Sequence, residues 1–169
     1  IAREDLEGSD VKIGIVIGSP SGAHTTFSKV AEAIDAYARG AVELDMVIDI
    51  GALRNGEYDD VYNDIKAVVD ATPAVVKVIL ENCYLTKEQI VKGCQLCEKA
   101  GADFVKTSTG FAEGGATVED IKLMRESVSE KVHVKAAGGI HSKEDVEALV
   151  AAGADRVGVS RTQAIAAEF

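Results

Sequence analysis

The segment Ala100-Gly101-Ala102-Asp103-Phe104-Val105-Lys106-Thr107 joins the end of a helical pattern to a short apolar run that carries one charge. Gly101 stands where a helix is expected to end, because glycine readily takes the left-handed conformation that stops a helix before a strand. Lys106 lies inside the strand-like run that follows. Both features recur along the chain, so together they predict a repeated helix-to-strand unit.

The same joint occurs at Arg39-Gly40-Ala41-Val42 and at Ala152-Gly153-Ala154-Asp155. Short runs rich in Val and Ile alternate with segments whose apolar residues have helical spacing. The predicted strands are Val11–Ile17, Leu44–Ile50, Ala74–Leu80, Asp103–Thr107, Val132–Ala137 and Arg156–Ser160. The predicted helices are Thr25–Ala38, Asp59–Ala71, Thr86–Lys99, Thr117–Ser127 and Ser142–Ala151. This alternation predicts parallel strands with right-handed crossovers, in either a doubly wound open sheet or a β/α barrel.

Charged residues in the strand interiors favour the barrel. A parallel strand that is covered on both faces reads as a nearly continuous apolar run, yet four of these runs each carry one charge, at Asp45, Lys77, Lys106 and Lys135. Because strand side chains alternate, these charges point away from the residues that pack on the helices. They converge inside a barrel, whereas an open sheet would bury them unpaired at a cost of several kcal/mol. We therefore predict a single α/β domain over residues 1–169, a β/α barrel of which six βα units are visible.

The strand lysines indicate amine chemistry. Lys77 taken alone favours a structural ion pair or a side chain that reaches solvent. Clustered ammonium groups, however, lower the pKa of at least one member, and a neutral lysine is a nucleophile for carbonyl groups. Lys106 is followed by three hydroxyl residues, 107–109, and by Gly110. This pattern makes Lys106 the candidate nucleophile.

Two consecutive strand ends carry residues suited to an anion. Lys135 precedes the turn Gly138-Gly139, and Gly158-Val159-Ser160-Arg161 ends the last predicted strand. Bare glycine amides can approach phosphate oxygens closely, and β/α barrels commonly bind phosphate after their final two strands. The alternatives are an ordinary tight turn and, for Arg161, a solvated surface cation.

Composition limits the classes of partner. The 169 residues are 47% hydrophobic, enough for a core, and carry a net charge of −10. This charge argues against nucleic acid and anionic membranes as partners. No apolar run is long enough to span a bilayer or form a signal peptide, so we expect a soluble, cytoplasmic protein. Cys94 and Cys97 have C-x-x-C spacing within a predicted helix, for which a structural role is favoured over redox or zinc chemistry.

Five strings closely resemble the deoxyribose-phosphate aldolase family across nearly the whole chain: ELDMVIDIGAL, VKVILE, GADFVKTSTGF, GGATVEDIKLMRE and VKAAGGI. The resemblance implies an eight-stranded β/α barrel of the (β/α)8 TIM-barrel type. It also implies cleavage of 2-deoxy-D-ribose 5-phosphate to acetaldehyde and D-glyceraldehyde 3-phosphate, through a lysine Schiff base and without a metal or other cofactor.

The resemblance also implies roles for individual residues. Lys106 would form the Schiff base, Lys135 would tune it, and Asp45 would take part in proton relay. Contacts to the substrate and its phosphate are implied for Thr109, Gly110, Gly138, Gly139, Gly158 and Ser160.

The chain departs from the family pattern in several places. It starts just before the family's third strand, so we expect the first two strands to be missing and the open edges to favour a homo-oligomer. His141 replaces an arginine, and Gly18-Ser19-Pro20-Ser21-Gly22 and Arg161 are also atypical. The alternative to an active aldolase is a truncated, inactive barrel fragment that binds phosphate or self-assembles.

Overall fold

The computed structural model describes residues 1–169 and contains one six-stranded parallel sheet. Its strands are β1 (Gly14–Ile17), β2 (Glu43–Val47), β3 (Val75–Ile79), β4 (Phe104–Lys106), β5 (His133–Ala137) and β6 (Arg156–Gly158). The strand order in the sheet is the order along the chain. The six predicted βα units are therefore confirmed.

The helices are α1 (Ala2–Asp5), α2 (Thr26–Ala38), α3 (Ile50–Asn55), α4 (Tyr58–Ala71), α5 (Lys87–Ala100), α6 (Val118–Glu126), α7 (Lys143–Ala151) and α8 (Thr162–Ala166), with one 3-10 turn at Asn82–Tyr84. Helices α2, α4, α5, α6 and α7 correspond to the five predicted ones. None of the helices is long and apolar enough to cross a membrane.

The ends of several elements differ from the sequence prediction. Residues Leu44–Ile50 were expected to form one strand, but β2 ends at Val47 and Ile50 begins α3. The Asp49 side chain accepts a hydrogen bond from the backbone N–H of Ala52 and so caps this helix. An N-cap of this kind satisfies a backbone donor that a strand would have paired elsewhere, which explains the change from strand to helix.

The repeated joint glycines behave as predicted. Gly40, Gly101 and Gly153 have φ angles of +102°, +88° and +114°, in the range that glycine reaches most easily. Each lies immediately before the turn into the next strand, after α2, α5 and α7 respectively. The three joints thus end the helices and return the chain to the same end of the sheet.

The sheet has one face against the helices and one face that encloses charges. Leu44, Met46, Val76 and Val105 lie fully buried in the hydrophobic core between strands and helices. Alternate residues of the same strands point to the other face. There the Arg156 guanidinium of β6 reaches the Glu43 carboxylate of β2, with Nη1 2.8 Å from Oε2. The contact spans four strand-to-strand steps, so the sheet is curled into a half-barrel.

Candidate active site

Asp45 is the centre of a lysine cluster on the inner face of the sheet. Its Oδ2 accepts hydrogen bonds from Lys106 Nζ and Lys135 Nζ, each at 2.7 Å. Its Oδ1 accepts from Lys77 Nζ at 2.8 Å. Strand register explains the convergence, because Asp45 pairs with Lys77 across β2 and β3, and Lys106 pairs with Lys135 across β4 and β5. The predicted convergence of the four strand charges is confirmed.

The three ammonium groups determine the ionisation of Asp45. Burial alone would raise the pKa of its carboxyl, but Lys106, Lys135 and Lys77 outweigh burial and hold the pKa well below its usual range. Asp45 is consequently an anion at any working pH. A carboxylate with such a low pKa can orient the amines through hydrogen bonds, but it is a weak proton acceptor.

Lys135 differs from an ordinary surface lysine. Burial lowers the pKa of its ammonium, the Asp45 hydrogen bond opposes this, and the charges of Lys106 and Lys77 lower the pKa further. Because Lys106 and Lys135 share one carboxylate oxygen, loss of a proton from the pair relieves repulsion between them. The cluster can thus supply a neutral amine close to a cationic one.

A second carboxylate, Glu43, lies below Asp45 on the same strand. Lys77 Nζ is 2.8 Å from Glu43 Oε2, and Arg156 donates to both Glu43 oxygens at 3.0 and 2.8 Å. Burial acts to raise the pKa of Glu43, but hydrogen bonds and charges from Lys77 and Arg156 lower it overall. Neither Glu43 nor Arg156 was identified from the sequence, although the spacing of two residues from Asp45 places Glu43 on the same face.

A cavity of about 540 Å³ opens above this cluster, at the carboxyl ends of β4, β5 and β6. The amines of Lys106 and Lys135 both contribute to its wall. All six predicted contact residues also line it: Thr109, Gly110, Gly138, Gly139, Gly158 and Ser160. His141 is a further lining residue. Amines and glycine-rich turns therefore meet in one cavity at the carboxyl end of the sheet, the end at which β/α barrels carry their active sites.

The Gly138-Gly139 turn is held by the loop that follows β4. Gly138 and Gly139 have φ angles of +80° and +71°, and the Ala116 N–H donates to the Gly138 carbonyl at 3.0 Å. A Cβ atom on Gly115 would lie 2.4 Å from the Gly138 oxygen, so only glycine fits there. Local sequence pattern does not predict the requirement for glycine at position 115, because the requirement arises from a contact between distant loops.

Thr109 is tied to the buried Glu81. Its hydroxyl donates to the Glu81 carboxylate, its N–H lies 3.2 Å from Glu81 Oε1, and its Oγ1 accepts from the Phe111 N–H at 3.0 Å. Glu81 is 2% exposed and has a positive φ of 57°, which is uncommon for a non-glycine residue. Thr109 thus fixes the shape of the loop beside the cavity, and its role as a direct substrate contact stays a prediction.

The two helical cysteines are not suited to thiolate chemistry. Cys94 and Cys97 are free and buried in α5. Burial raises the pKa of Cys94 to about 12 and raises that of Cys97 well above its ordinary value. This agrees with the structural role expected for the pair. No group of three or more His, Cys, Asp or Glu side chains is arranged to hold a metal ion.

Known proteins resemble this chain over nearly its full length. A family model described as DeoC/LacD family aldolase matches residues 2–163. A deoxyribose-phosphate aldolase of Clostridium novyi is 56% identical over 98% of the chain and 75% of the relative. One of Thermoanaerobacter pseudethanolicus is 54% identical over 100% of the chain and 78% of the relative.

Solved structures show the same likeness in three dimensions. The tetrameric deoxyribose phosphate aldolase of Aeropyrum pernix superimposes with a TM-score of 0.86 at 33% identity. The match covers 97% of this chain and 69% of that one. Sequence and fold therefore point to the same group of proteins.

Proposed function

Because the chain belongs to the DeoC/LacD family of aldolases, we propose that Lys106 is the amine that forms a Schiff base with its substrate. The reaction is cleavage of 2-deoxy-D-ribose 5-phosphate to acetaldehyde and D-glyceraldehyde 3-phosphate. The observation that carries this proposal is the placement of Lys106 and Lys135 on one oxygen of Asp45, at 2.7 Å each, in the wall of a glycine-rich cavity.

The chemistry follows from a neutral Lys106 amine. It adds to the substrate aldehyde, and loss of one water gives an iminium. When the substrate hydroxyl two carbons away gives up its proton, the C–C bond breaks and its electron pair moves into the iminium, forming an enamine. Glyceraldehyde 3-phosphate leaves, the enamine carbon takes up a proton, and one water releases acetaldehyde and regenerates the amine.

Lys135 and Asp45 support these steps. The Lys135 ammonium shares the Asp45 oxygen with Lys106, which places a cation beside the proposed nucleophile. Asp45 holds both amines on one oxygen, so a proton can pass between them or to an enclosed water. We propose that this geometry is its part in proton relay, since its low pKa makes it a weak base on its own.

We propose that the Gly138-Gly139 turn and the Gly158–Ser160 segment hold the substrate phosphate. Support comes from their shared cavity, whose wall also carries Lys135 and His141, and from Arg161, which follows Ser160 in the chain. The net charge of −10 repels an anion at long range, so this local set of donors is what an anionic substrate requires.

Substitution of Gly139 by alanine tests the phosphate site. We expect KM for deoxyribose 5-phosphate to rise about tenfold, with a much smaller change for unphosphorylated deoxyribose, because a methyl group at the turn blocks close approach of phosphate oxygens. Steady-state kinetics with both substrates provides the measurement. Equal effects on the two substrates would exclude the turn as the phosphate site.

Gly56 offers a matched control for this substitution. Gly56 has a φ of +81°, close to the +71° of Gly139, and added Cβ atoms at both positions meet only ordinary contacts. Gly56→Ala therefore carries the same backbone strain, about 1 kcal/mol, at the end of α3 rather than in the cavity. We expect its KM values to match those of the parent chain.

Activity separates the aldolase from an inactive phosphate-binding or self-assembling fragment. The intact cluster of Asp45, Lys106 and Lys135 favours the enzyme. Burying like charges lowers the stability of the fold, and a fragment without activity would have no use for them. Incubation with deoxyribose 5-phosphate should release acetaldehyde, detected through NADH consumption by added alcohol dehydrogenase. Binding of the sugar phosphate without acetaldehyde release would establish the fragment instead.

We also propose a homo-oligomer in the cytoplasm. The edge strand β1 exposes 42% of Ile15 and 54% of Val16, and exposed apolar edges invite pairing. The Aeropyrum pernix relative is tetrameric. The free thiols of Cys94 and Cys97 fit a reducing compartment.

Self-association is expected to depend on β1. In sedimentation velocity the chain should run as a dimer or larger at micromolar concentration, and Ile15→Lys should shift it towards monomer because a charge on the edge strand opposes pairing. Val150→Lys is the control, since Val150 is 52% exposed on α7, away from this edge. A monodisperse parent monomer would contradict the proposal.

A further inference from the structure

The catalytic cluster rests on a second layer of charge within the half-barrel. Lys77 is 1% exposed and bridges two carboxylates, with Nζ 2.8 Å from Asp45 Oδ1 and 2.8 Å from Glu43 Oε2. A lysine held this way has no freedom to reach solvent. Asp45 and Glu43 together fix the position of the Lys77 ammonium, which is the hydrogen-bond partner of Asp45 Oδ1.

Arg156 completes this layer from the opposite side of the curled sheet. Its Nη1 contacts both oxygens of Glu43, and its guanidinium lies 5.0 Å from the centre of the Phe104 ring. Packing on the ring restricts the arginine, because the planar cation is attracted to the ring face. Two cations, Lys77 and Arg156, thus fix the position of the Glu43 carboxylate.

We propose that Glu43 is a positioning residue for the aldolase reaction: it keeps Lys77 on Oδ1 of Asp45 and, with Arg156, sets the net charge around the two reactive amines. This inference rests on the function proposed above. Glu43 itself does not line the cavity that holds Lys106 and Lys135, so it acts through its neighbours and not on the substrate.

The charge balance shows why Glu43 matters. The connected network contains two carboxylates, Asp45 and Glu43, and four basic groups: Lys77, Lys106, Lys135 and Arg156. With every group ionised, an excess of positive charge remains. Removal of Glu43 would enlarge this excess and leave the Lys77 ammonium to Asp45 alone, which weakens the hold of Asp45 on the other two lysines.

At the start of β2, Glu43 also borders a second cavity, whose lining includes the charged residues Arg3, Asp10 and Lys12. In β1, the strand residues paired with Glu43 and Asp45 are Gly14 and Val16, which carry no charge. Two further titratable groups of the sheet region are His133, at the start of β5, and Asp155. They lie 3.5 Å apart and pair with each other, and Asp155 also pairs with Arg125. The ion pairs of Glu43 itself are those with Lys77 and Arg156, both on strands of the sheet.

The decisive experiment measures the titration of the two cavity amines directly. Trace labelling with acetic anhydride across a pH series, followed by peptide mapping, gives the pH at which Lys106 and Lys135 become reactive. In Glu43→Gln we expect both midpoints to fall by about one pH unit, because one buried negative charge is lost. The acid limb of the kcat/KM profile should move in the same direction, and Glu43→Asp, which keeps the charge, should restore both.

The double variant Glu43→Gln with Arg156→Gln separates electrostatics from simple damage. It removes one charge of each sign, so the midpoints should return towards those of the parent chain although two contacts are lost. Asp70→Asn is the surface control, since Asp70 forms an exposed pair with Lys66, and its midpoints should match the parent.

Each outcome decides the proposal. Unchanged midpoints in folded Glu43→Gln, or midpoints in the double variant displaced as far as in the single one, would overturn it. If Glu43→Gln does not fold, the single variant Arg156→Gln provides the test. Loss of its positive charge should shift the labelling midpoints of Lys106 and Lys135 upward. Unchanged midpoints in this variant would overturn the proposal. Failure of acetaldehyde and borohydride to modify Lys106 would reject the proposed function, whereas the labelling midpoints would still decide the role of Glu43.

Discussion

Lys106→Arg should abolish aldolase activity, with kcat reduced by at least about 10⁴-fold. Arginine keeps the positive charge next to Asp45, but its guanidinium does not lose a proton near neutral pH and cannot form the Schiff base. Treatment of the parent chain with acetaldehyde and borohydride should leave an ethyl group on Lys106, located by peptide mapping. The arginine variant should acquire none at this position.

The control for this substitution is Lys122→Arg on the exposed face of α6. This variant should keep both activity and the adduct on Lys106, because Lys122 lies outside the cavity. Labelling spread over surface lysines, with Lys106 unmodified in the parent chain, would contradict the mechanism.

Asp45→Asn should lower both stability and activity. The carboxylate is the shared partner of three ammonium groups, and breaking a buried ion pair by removing one side costs about 3–5 kcal/mol. Urea unfolding at pH 7 provides the measurement. Asp70→Asn, in an exposed pair with Lys66, is the control and should change the free energy of unfolding by less than about 1 kcal/mol.

The stability loss in Asp45→Asn should depend on pH. The folded-state pKa of Asp45 is lowered, so its carboxylate stabilises the fold fully above the unfolded value, about 3.9. This contribution disappears as the pH falls through the folded-state pKa. The difference between parent and variant should therefore be largest near neutral pH and decrease in strong acid. Equal unfolding free energies at pH 7 would contradict the ion-pair account.

Strand periodicity was sufficient to predict the centre of the candidate site. Alternation determines which face each side chain takes, and regular βα units determine that the strands are parallel neighbours. One charge in each of four strands could therefore be assigned to the same interior. The observed hydrogen bonds of Asp45 to Lys77, Lys106 and Lys135 confirm that reasoning.

Features that depend on curvature or on contacts between loops could not be predicted in this way. The pairing of Glu43 with Arg156 requires β2 and β6 to face each other at contact distance, and the strand patterns that predict a barrel do not specify which side chains meet across it. Glu81 adopts a left-handed conformation that residue type disfavours, and Gly115 is required by the backbone of a turn distant in sequence. The start of α3 was missed because Ile50 continues an apolar run.

The strand order also has a consequence for how the molecule assembles. Each strand pairs with its neighbour in sequence, so most sheet contacts are comparatively local and can form progressively as the chain leaves the ribosome. The ion pair between Glu43 and Arg156 is an exception, because it joins residues separated by 113 positions. It can form only after β6 has docked, so the contact between Phe104 and Arg156 reports on the docking of β6.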